Sequence, residues 1–378
     1  MQFSTEQLEF AAAVRKYCSR ELASVADRDR VTDGGTLSNS PGVLRDLARQ
    51  GWLGVSLPAE YGGGGAGFVD ECVFIEAAAR GLAPITGYFT GLTAAQTYLK
   101  WGTDSQRRTV VSNLVSGRLE AIALSEPGSG SDLASLRVTA RRDGDRYLVD
   151  GQKTWISAAH VSEHILVLTR EDTTGSKHQG MTLLMVPTDS AGLEIRPIDT
   201  MEPHTCNDVF FDEVEVPTSA VVGVAGDAWN QLMRGLAIER MIIAAMSIGA
   251  AQRAFDDVVA YCRERKQFGR AIGSFQALRH RMADLATNID IARVFVYDVA
   301  SKIDAGLEDD LAKESAMAKM RCTEVAKQTA LEAMQMMGGY GYAREGGMES
   351  QVRRALAPPI YGGTNEIQRE IIARHIGL

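Results

Sequence analysis

One acid interrupts a stretch that is otherwise apolar. In LAIERMIIAAM, residues 236–246, Glu239 breaks a run that reads as buried helix. At about 100° per residue, Leu232, Leu236, Glu239, Ile243, Met246 and Ala250 fall on one narrow stripe. An unpaired ionised carboxylate is costly in apolar surroundings, so such a group is usually paired, neutral or functional. On this stretch alone three readings stand: an ion pair with a distant arginine, a wet stripe, or an acid kept for chemistry.

A second stretch with chemical potential is ALSEPGSGSDLAS, residues 123–135. It offers the hydroxyls of Ser125, Ser129 and Ser131 and backbone N–H groups around Gly128 and Gly130. Such a loop can donate hydrogen bonds to a flat polar ring or to a phosphate, or it can be a plain connector. It is not a P-loop, because no Gly-Lys-Ser/Thr follows. GGYGYAREGG, residues 338–347, is not a dinucleotide fingerprint either, since its last required glycine is missing and no strand precedes it.

Metal and disulfide chemistry find no support. Cys18, Cys72, Cys206, Cys262 and Cys322 are scattered without a CxxC, and the six histidines show no ligand spacing. The thiols read as reduced and buried, which places the protein in the cytoplasm. The N-terminal MQFSTEQLEF shows a capping box at Ser4 and Gln7 and no apolar signal core. No apolar stretch is long enough to span a membrane. With 378 residues, 45% hydrophobic, the chain can form two or three cored domains; its net charge of −8 argues against nucleic acid as a partner.

The elements that must position these residues fall into three textures, predicting an α+β protein. Residues 1–119 read as helices, interrupted by the glycine loop LPAEYGGGGAGF. Residues 120–223 read as a compact β domain. A hairpin turns at Asp143-Gly144, and the strands HILVLTRED, MTLLMVPTD, GLEIRPID and VFFDEVEVP follow. Residues 224–378 return to helix. A proline-free run of roughly 40 residues from Asp227, two further long helices and a short closing one predict a bundle.

Several stretches together resemble the acyl-CoA dehydrogenase family. ALSEPGSGSDLAS is similar to its first signature, and LPAEYGGGG, GQKTWIS, VFFDEVEVP, RERKQFGRAIGSFQ, QMMGGYGY and YGGTNEIQREIIARHIG match along the chain in order. The resemblance implies an N-terminal helical domain, a middle β-barrel-like domain and a C-terminal four-helix bundle. It also implies FAD, an acyl-CoA thioester substrate, an electron-transferring flavoprotein as acceptor, and a homotetramer or dimer of dimers. By the same resemblance, Leu124, Ser125, Gly130 and Ser131 lie along the flavin, with Ser131 also at the substrate. Trp155 and Ser157 cover its other side. Arg265, Phe268, Gln335, Gly338 and Gly339 reach the cofactor of a neighbouring subunit, and Thr364 and Glu366 close the site. Arg240, Gly363 and Arg374 join the substrate side.

The chain departs from the common family pattern at Gly362, where many members carry the glutamate that removes the α-proton of the thioester. A glycine has no side chain to accept it. A branch that includes isovaleryl-CoA and long-chain acyl-CoA dehydrogenases instead places its glutamate on the long helix before an arginine, and Glu239-Arg240 stands there. The resemblance therefore makes Glu239 the catalytic base. The thioester oxygen is then met by a flavin hydroxyl and the Gly362 N–H, an oxyanion-hole arrangement. Ser350 and Arg354 replace a basic and an acidic residue of the second signature, and Pro358-Pro359 stiffens the approach to the loop. Three other readings compete. The acyl or aminoacyl group could ride on an acidic carrier protein docked at Arg344, Arg353 and Arg354. The chain could be a non-catalytic subunit of a hetero-tetramer. It could be a flavin oxidase or monooxygenase on the same fold.

Overall fold

The computed structural model describes residues 3–171, 176–233, 235–307 and 311–378. Helices open the chain: α1 (Thr5–Glu21), α2 (Val25–Val31), α3 (Pro41–Arg49), α4 (Phe68–Arg80), α5 (Thr86–Trp101) and α6 (Asp104–Val115). Their starts follow side-chain chemistry. Ser4 and Gln7 cap α1 reciprocally, as their spacing predicts, and Thr103 with Gln106 does the same for α6.

Strands follow: β1 (Leu119–Ala123), β2 (Thr139–Asp143), β3 (Arg146–Ser157), β4 (Ser162–Arg170), β5 (Met181–Pro187), β6 (Leu193–Pro197) and β7 (Cys206–Pro217). They form one mixed sheet in the order β1-β4-β2-β3-β7-β6, with β5 antiparallel to β4. The hairpin β2–β3 pairs Asp143 with Arg146, so its turn is Gly144-Asp145; Gly144 sits at φ 65°, which a tight turn requires and glycine tolerates. Alternation buries Val149, Ile156, Val167, Val186, Val209 and Val214 in one apolar cluster.

The remaining elements are helical apart from one small hairpin. They are α7 (Ala228–Met233), α8 (Leu236–Glu264), the hairpin β8 (Lys266–Gln267) and β9 (Arg270–Ala271), α9 (Gln276–Asp304), α10 (Ala312–Met337), α11 (Gly339–Tyr342), α12 (Met348–Leu356) and α13 (Asn365–His375). The single long run expected from Asp227 is two helices. Gly235, a poor helix former, lies between α7 and α8, so Leu232 is not on the α8 stripe. α12 is an element the sequence reading left unassigned.

By contact density the chain forms two compact units. One gathers residues 1–30, 67–83 and 237–378; the other gathers 31–66 and 84–236. In the first, α10 packs against α9, α12 and α13, and α4 packs on α1 and α9. A polar network joins α4, α8 and α9: Arg293 Nε donates to Glu76 Oε1 at 2.8 Å, Arg293 Nη2 to Gln252 Oε1 at 2.6 Å, and Tyr297 Oη to Glu76 Oε2 at 2.7 Å. Among the described residues, no helix is long and apolar enough to cross a membrane.

Candidate active site

In the helical unit, Glu239 lies in the first turn of α8 and remains partly accessible. Its stripe is half buried, not sealed: Leu236, Met246 and Ala250 are also only partly covered, while Ile243 is buried. The carboxyl is nevertheless ringed by protein, and burial pushes its proton affinity above the ordinary carboxylate value, against the opposing pull of Arg240 and Lys319. Among the described residues, no arginine, adjacent Arg240 included, forms a close ion pair with Glu239, so the distant-arginine pairing is not seen. Arg240 is buried, its Nη1 stands 3.5 Å from Ser315 Oγ, and its Nε has no partner.

Gly362 faces this acid. A Cβ built there would stand 3.7 Å from Glu239 Oε1 and would overlap Ile243 Cδ1. Gly362 and Gly363 have φ of 62° and 76°, a backbone that disfavours any side chain. Their carbonyls are held from the opposite side. Gln368 Nε2 donates to Gly362 O at 3.0 Å and to Gly363 O at 2.9 Å, and Lys319 Nζ donates to Gly363 O at 2.8 Å. Neither Gly362 N–H nor Gly363 N–H donates to a described residue. A trans peptide directs its N–H opposite its C=O, so anchoring the Gly362 carbonyl aims the Gly363 N–H away from Gln368.

Lys319 and Gln368 were missed at the sequence level, although a signal existed. Ser315, Lys319 and Thr323 repeat every fourth residue on α10 and are all fully buried, a polar stripe on an inward face. Ser315 meets Arg240, Lys319 meets the glycine loop, and Thr323 meets Asn365 Oδ1 at 3.2 Å.

The remaining residues assigned in this unit divide into two groups. Arg265, Phe268, Gly338 and Gly339 come together around a cavity of about 680 Å³, with the Arg265 guanidinium 5.4 Å from the centre of the Tyr340 ring. Phe268 is 93% exposed and occupies the turn of the β8–β9 hairpin at φ 52° beside Gly269 at 78°. An exposed aromatic held in a left-handed conformation is the kind of local strain that marks functional positions. Others stand apart from that cavity. Gln335 is exposed on α10, Thr364 caps α13, and Glu366 is exposed beside Arg369. Arg374 pairs with Glu370 at 3.0 Å on the exposed end of α13. Of the three arginines considered for carrier docking, Arg353 is tied to Glu349 at 2.7 Å.

In the sheet-containing unit, the loop after β1 is pinned by a buried ion pair. Lys153 Nζ donates to Glu126 Oε1 at 2.8 Å and to Leu124 O at 2.9 Å, while Glu126 also accepts from the N–H groups of Arg137 and Val138. Burial lowers Lys153 to about 8. Thr154 N–H donates to Ser125 O at 3.0 Å, so the serine loop and the strand bearing Trp155 and Ser157 are neighbours. Trp155 interrupts the β3–β7 register, has φ 62°, and is 60% exposed. Gly130 and Ser131 are exposed, with open space around Gly128 and Gly130.

These features suit FAD. An exposed, strained tryptophan offers a flat surface, and the adjacent loop leaves its glycines uncovered. The cavity joins a guanidinium, which matches pyrophosphate bidentately, to two uncovered glycines where backbone can approach closely.

Comparison with known proteins agrees with this chemistry. Residues 4–118, 121–214 and 226–377 match the acyl-CoA dehydrogenase N-terminal, middle and C-terminal domain families. The chain is 33% identical over 383 residues to the 3-(aryl)acrylate reductase of Clostridium sporogenes, covering 99% of both. It is 33% identical over 380 residues to the mitochondrial short/branched chain specific acyl-CoA dehydrogenase of Rattus norvegicus, covering 99% of this chain and 86% of that one. The solved acyl-CoA dehydrogenase of Geobacillus kaustophilus superposes with a TM-score of 0.91 at 32% identity, covering 100% of this chain and 99% of that one. The chain therefore belongs to the acyl-CoA dehydrogenase family, flavoprotein oxidoreductases that act on CH–CH bonds.

Proposed function

We propose that the chain dehydrogenates an acyl-CoA thioester across its α and β carbons, with Glu239 as the base that removes the α-proton. The observation that carries this reading is the placement of Glu239 Oε1 opposite a glycine, where no competing side chain stands. A carboxylate lifted above its ordinary proton affinity is a stronger base once ionised. The free N–H groups of Gly362 and Gly363 are suited to receive the thioester oxygen, which acidifies the α-carbon and stabilises charge as the proton leaves. FAD, when bound, supplies the acceptor for the hydride from the β-carbon. Trp155, Ser157 and the 124–131 loop would hold it from the sheet-containing unit, and Arg265, Phe268, Gly338 and Gly339 would hold a neighbouring subunit's copy.

A homotetramer passing electrons to an electron-transferring flavoprotein is the assembly and acceptor we propose. Family membership supports both, and the exposed Ile291 and Val294 on α9 offer apolar surface to a partner subunit. The test is anaerobic mixing of the yellow protein with a panel of acyl-CoA thioesters. At least one saturated thioester should bleach the flavin and yield the 2-enoyl product. Failure of every saturated chain length and branching pattern to bleach a flavin that dithionite can reduce would contradict the proposal.

A further inference from the structure

Lys319 is a fully buried lysine that the sequence reading gave no role. Its ammonium has two protein acceptors: Gly363 O at 2.8 Å and Asn365 Oδ1 at 3.1 Å. Both belong to the segment that carries Gly362 past Glu239. Asn365 is in turn fixed by Thr323, the next polar residue of the α10 stripe, through bonds at 3.1 and 3.2 Å. The charged groups that act on Lys319 are Glu239 and Arg240 from α8 and Glu366 from α13. The attraction between Lys319 and Glu239 acts on both: it lowers the proton affinity of the acid and raises that of the amine. Burial of Lys319 outweighs that help and brings it to about 8.

A structural lysine would normally lie with its head in water, because an ammonium is strongly hydrated. This one is taken out of water to hold a backbone carbonyl of the loop opposite the base. A neutral amide such as Gln368, which already reaches both loop carbonyls, could fill the hydrogen-bonding role alone. What the lysine adds is positive charge.

We infer that Lys319 is a positioning residue for the reaction: it fixes the Gly362-Gly363 loop against Glu239 and adds, alongside Arg240, positive charge that favours the Glu239 carboxylate ready to accept a proton. This rests on the reading of Glu239 as the base.

The test is the pH dependence of flavin reduction in the FAD-loaded enzyme, for wild type, Lys319→Met and Glu239→Gln. Lys319→Met should slow reduction by about 10–100-fold, the effect of a small misplacement of reacting groups, with a much smaller change in thioester Kd. Its acid limb should move to higher pH, because Glu239 has lost the charge that lowers its proton affinity. In wild type, reduction should also slow as pH rises past about 8, where Lys319 deprotonates, and that limb should vanish in the Met variant. A purely structural lysine would leave both limbs in place. If Lys319→Met does not fold, Asn365→Asp provides the same decision. It sets a carboxylate at the 3.1 Å acceptor, so Lys319 should hold its proton longer and the alkaline limb should move upward. Limbs that do not move in either variant, beside a crippled Glu239→Gln, overturn the role of Lys319 alone. A Glu239→Gln enzyme as fast as wild type overturns the base assignment instead.

Discussion

Glu239 and Gly362 lie 123 positions apart in sequence and face each other, with 3.7 Å from Glu239 Oε1 to where a Gly362 Cβ would be. One position carries the acid and the other only backbone. The base could in principle sit on either side, so exchanging the two residues probes the geometry directly.

That exchange meets a specific obstacle. Glu239→Gly with Gly362→Glu puts a side chain at φ 62°, a conformation that costs on the order of 1–3 kcal/mol for a non-glycine residue. It also drives the new Cβ into Ile243 Cδ1. Adding Ile243→Val removes that methyl at a cost of roughly 0.5–1.5 kcal/mol. The triple variant should therefore reduce its flavin faster than the double. Equal rates for the two would show that Ile243 is not what excludes a side chain from position 362.

The buried acid also predicts a stability effect of known sign. Glu239 holds its proton more tightly in the fold than its ordinary value of 4.5, so at higher pH an ionised Glu239 weighs against folding. Glu239→Gln removes that cost. The variant should melt above wild type at neutral pH, and the gap should narrow as pH falls toward 4.5 and close below it, where the acid is protonated in both states. Melting curves across pH 4.5–8 measure it; a variant that melts lower than wild type at neutral pH contradicts the raised proton affinity.

Part of this site was legible in the residues themselves: an acid on an otherwise apolar stripe. That Gly362 answers it came from the resemblance to the family, not from the residues alone. The serine loop was legible as loop punctuation, whereas Trp155 reads by itself as a core residue; its role came from the resemblance and its exposure from the structure. Lys319 was not, because the every-fourth-residue spacing of Ser315, Lys319 and Thr323 marks a polar stripe on α10 that sequence alone reads equally well as a solvated face. Only the tertiary contact with Gly363, 44 residues on, reveals where its charge goes. The break at Gly235 was hidden for a related reason: a lone glycine lowers helix propensity by only about 1 kcal/mol, so sequence alone does not decide whether the helix continues. α12 escaped because MESQVRRAL is short and charge-rich, and its inward residues Met348, Gln351, Val352 and Ala355 acquire meaning only against α10.

The turn residue Phe268 should show opposite effects in the two states of the protein. Phe268→Gly relieves a left-handed phenylalanine, which should stabilise the flavin-free protein by roughly 1 kcal/mol. If the 93% exposed ring packs on a neighbouring subunit's cofactor, the same change should weaken FAD retention. Arg265→Ala should weaken it further, by about 1.5–3 kcal/mol, through loss of a charged hydrogen-bond donor. Equilibrium dialysis and melting of the flavin-free protein separate the two; unchanged FAD affinity in both variants would remove these residues from the cofactor site.

The Lys153–Glu126 pair should matter more than its distance from the reacting atoms suggests. Lys153→Met leaves a carboxylate buried with only backbone donors and frees the Leu124 carbonyl. Breaking a buried pair from one side costs about 3–5 kcal/mol, whereas exposed pairs such as Arg374–Glu370 contribute little. Chemical denaturation of Lys153→Met and Arg374→Met should show this contrast, and similar losses in both would argue that the loop after β1 is not held by the pair.

The central claim is that Glu239 takes the α-proton, and rapid anaerobic mixing of Glu239→Gln with a thioester that wild type oxidises tests it most directly. Glutamine keeps the shape and the hydrogen-bonding capacity but cannot act as the base. The account predicts a folded, yellow protein with normal FAD content whose flavin is reduced at least ~10²–10⁴-fold more slowly than wild type, the usual worth of a positioned general base. Flavin reduction at the wild-type rate would contradict it and send the search for the base to another chain.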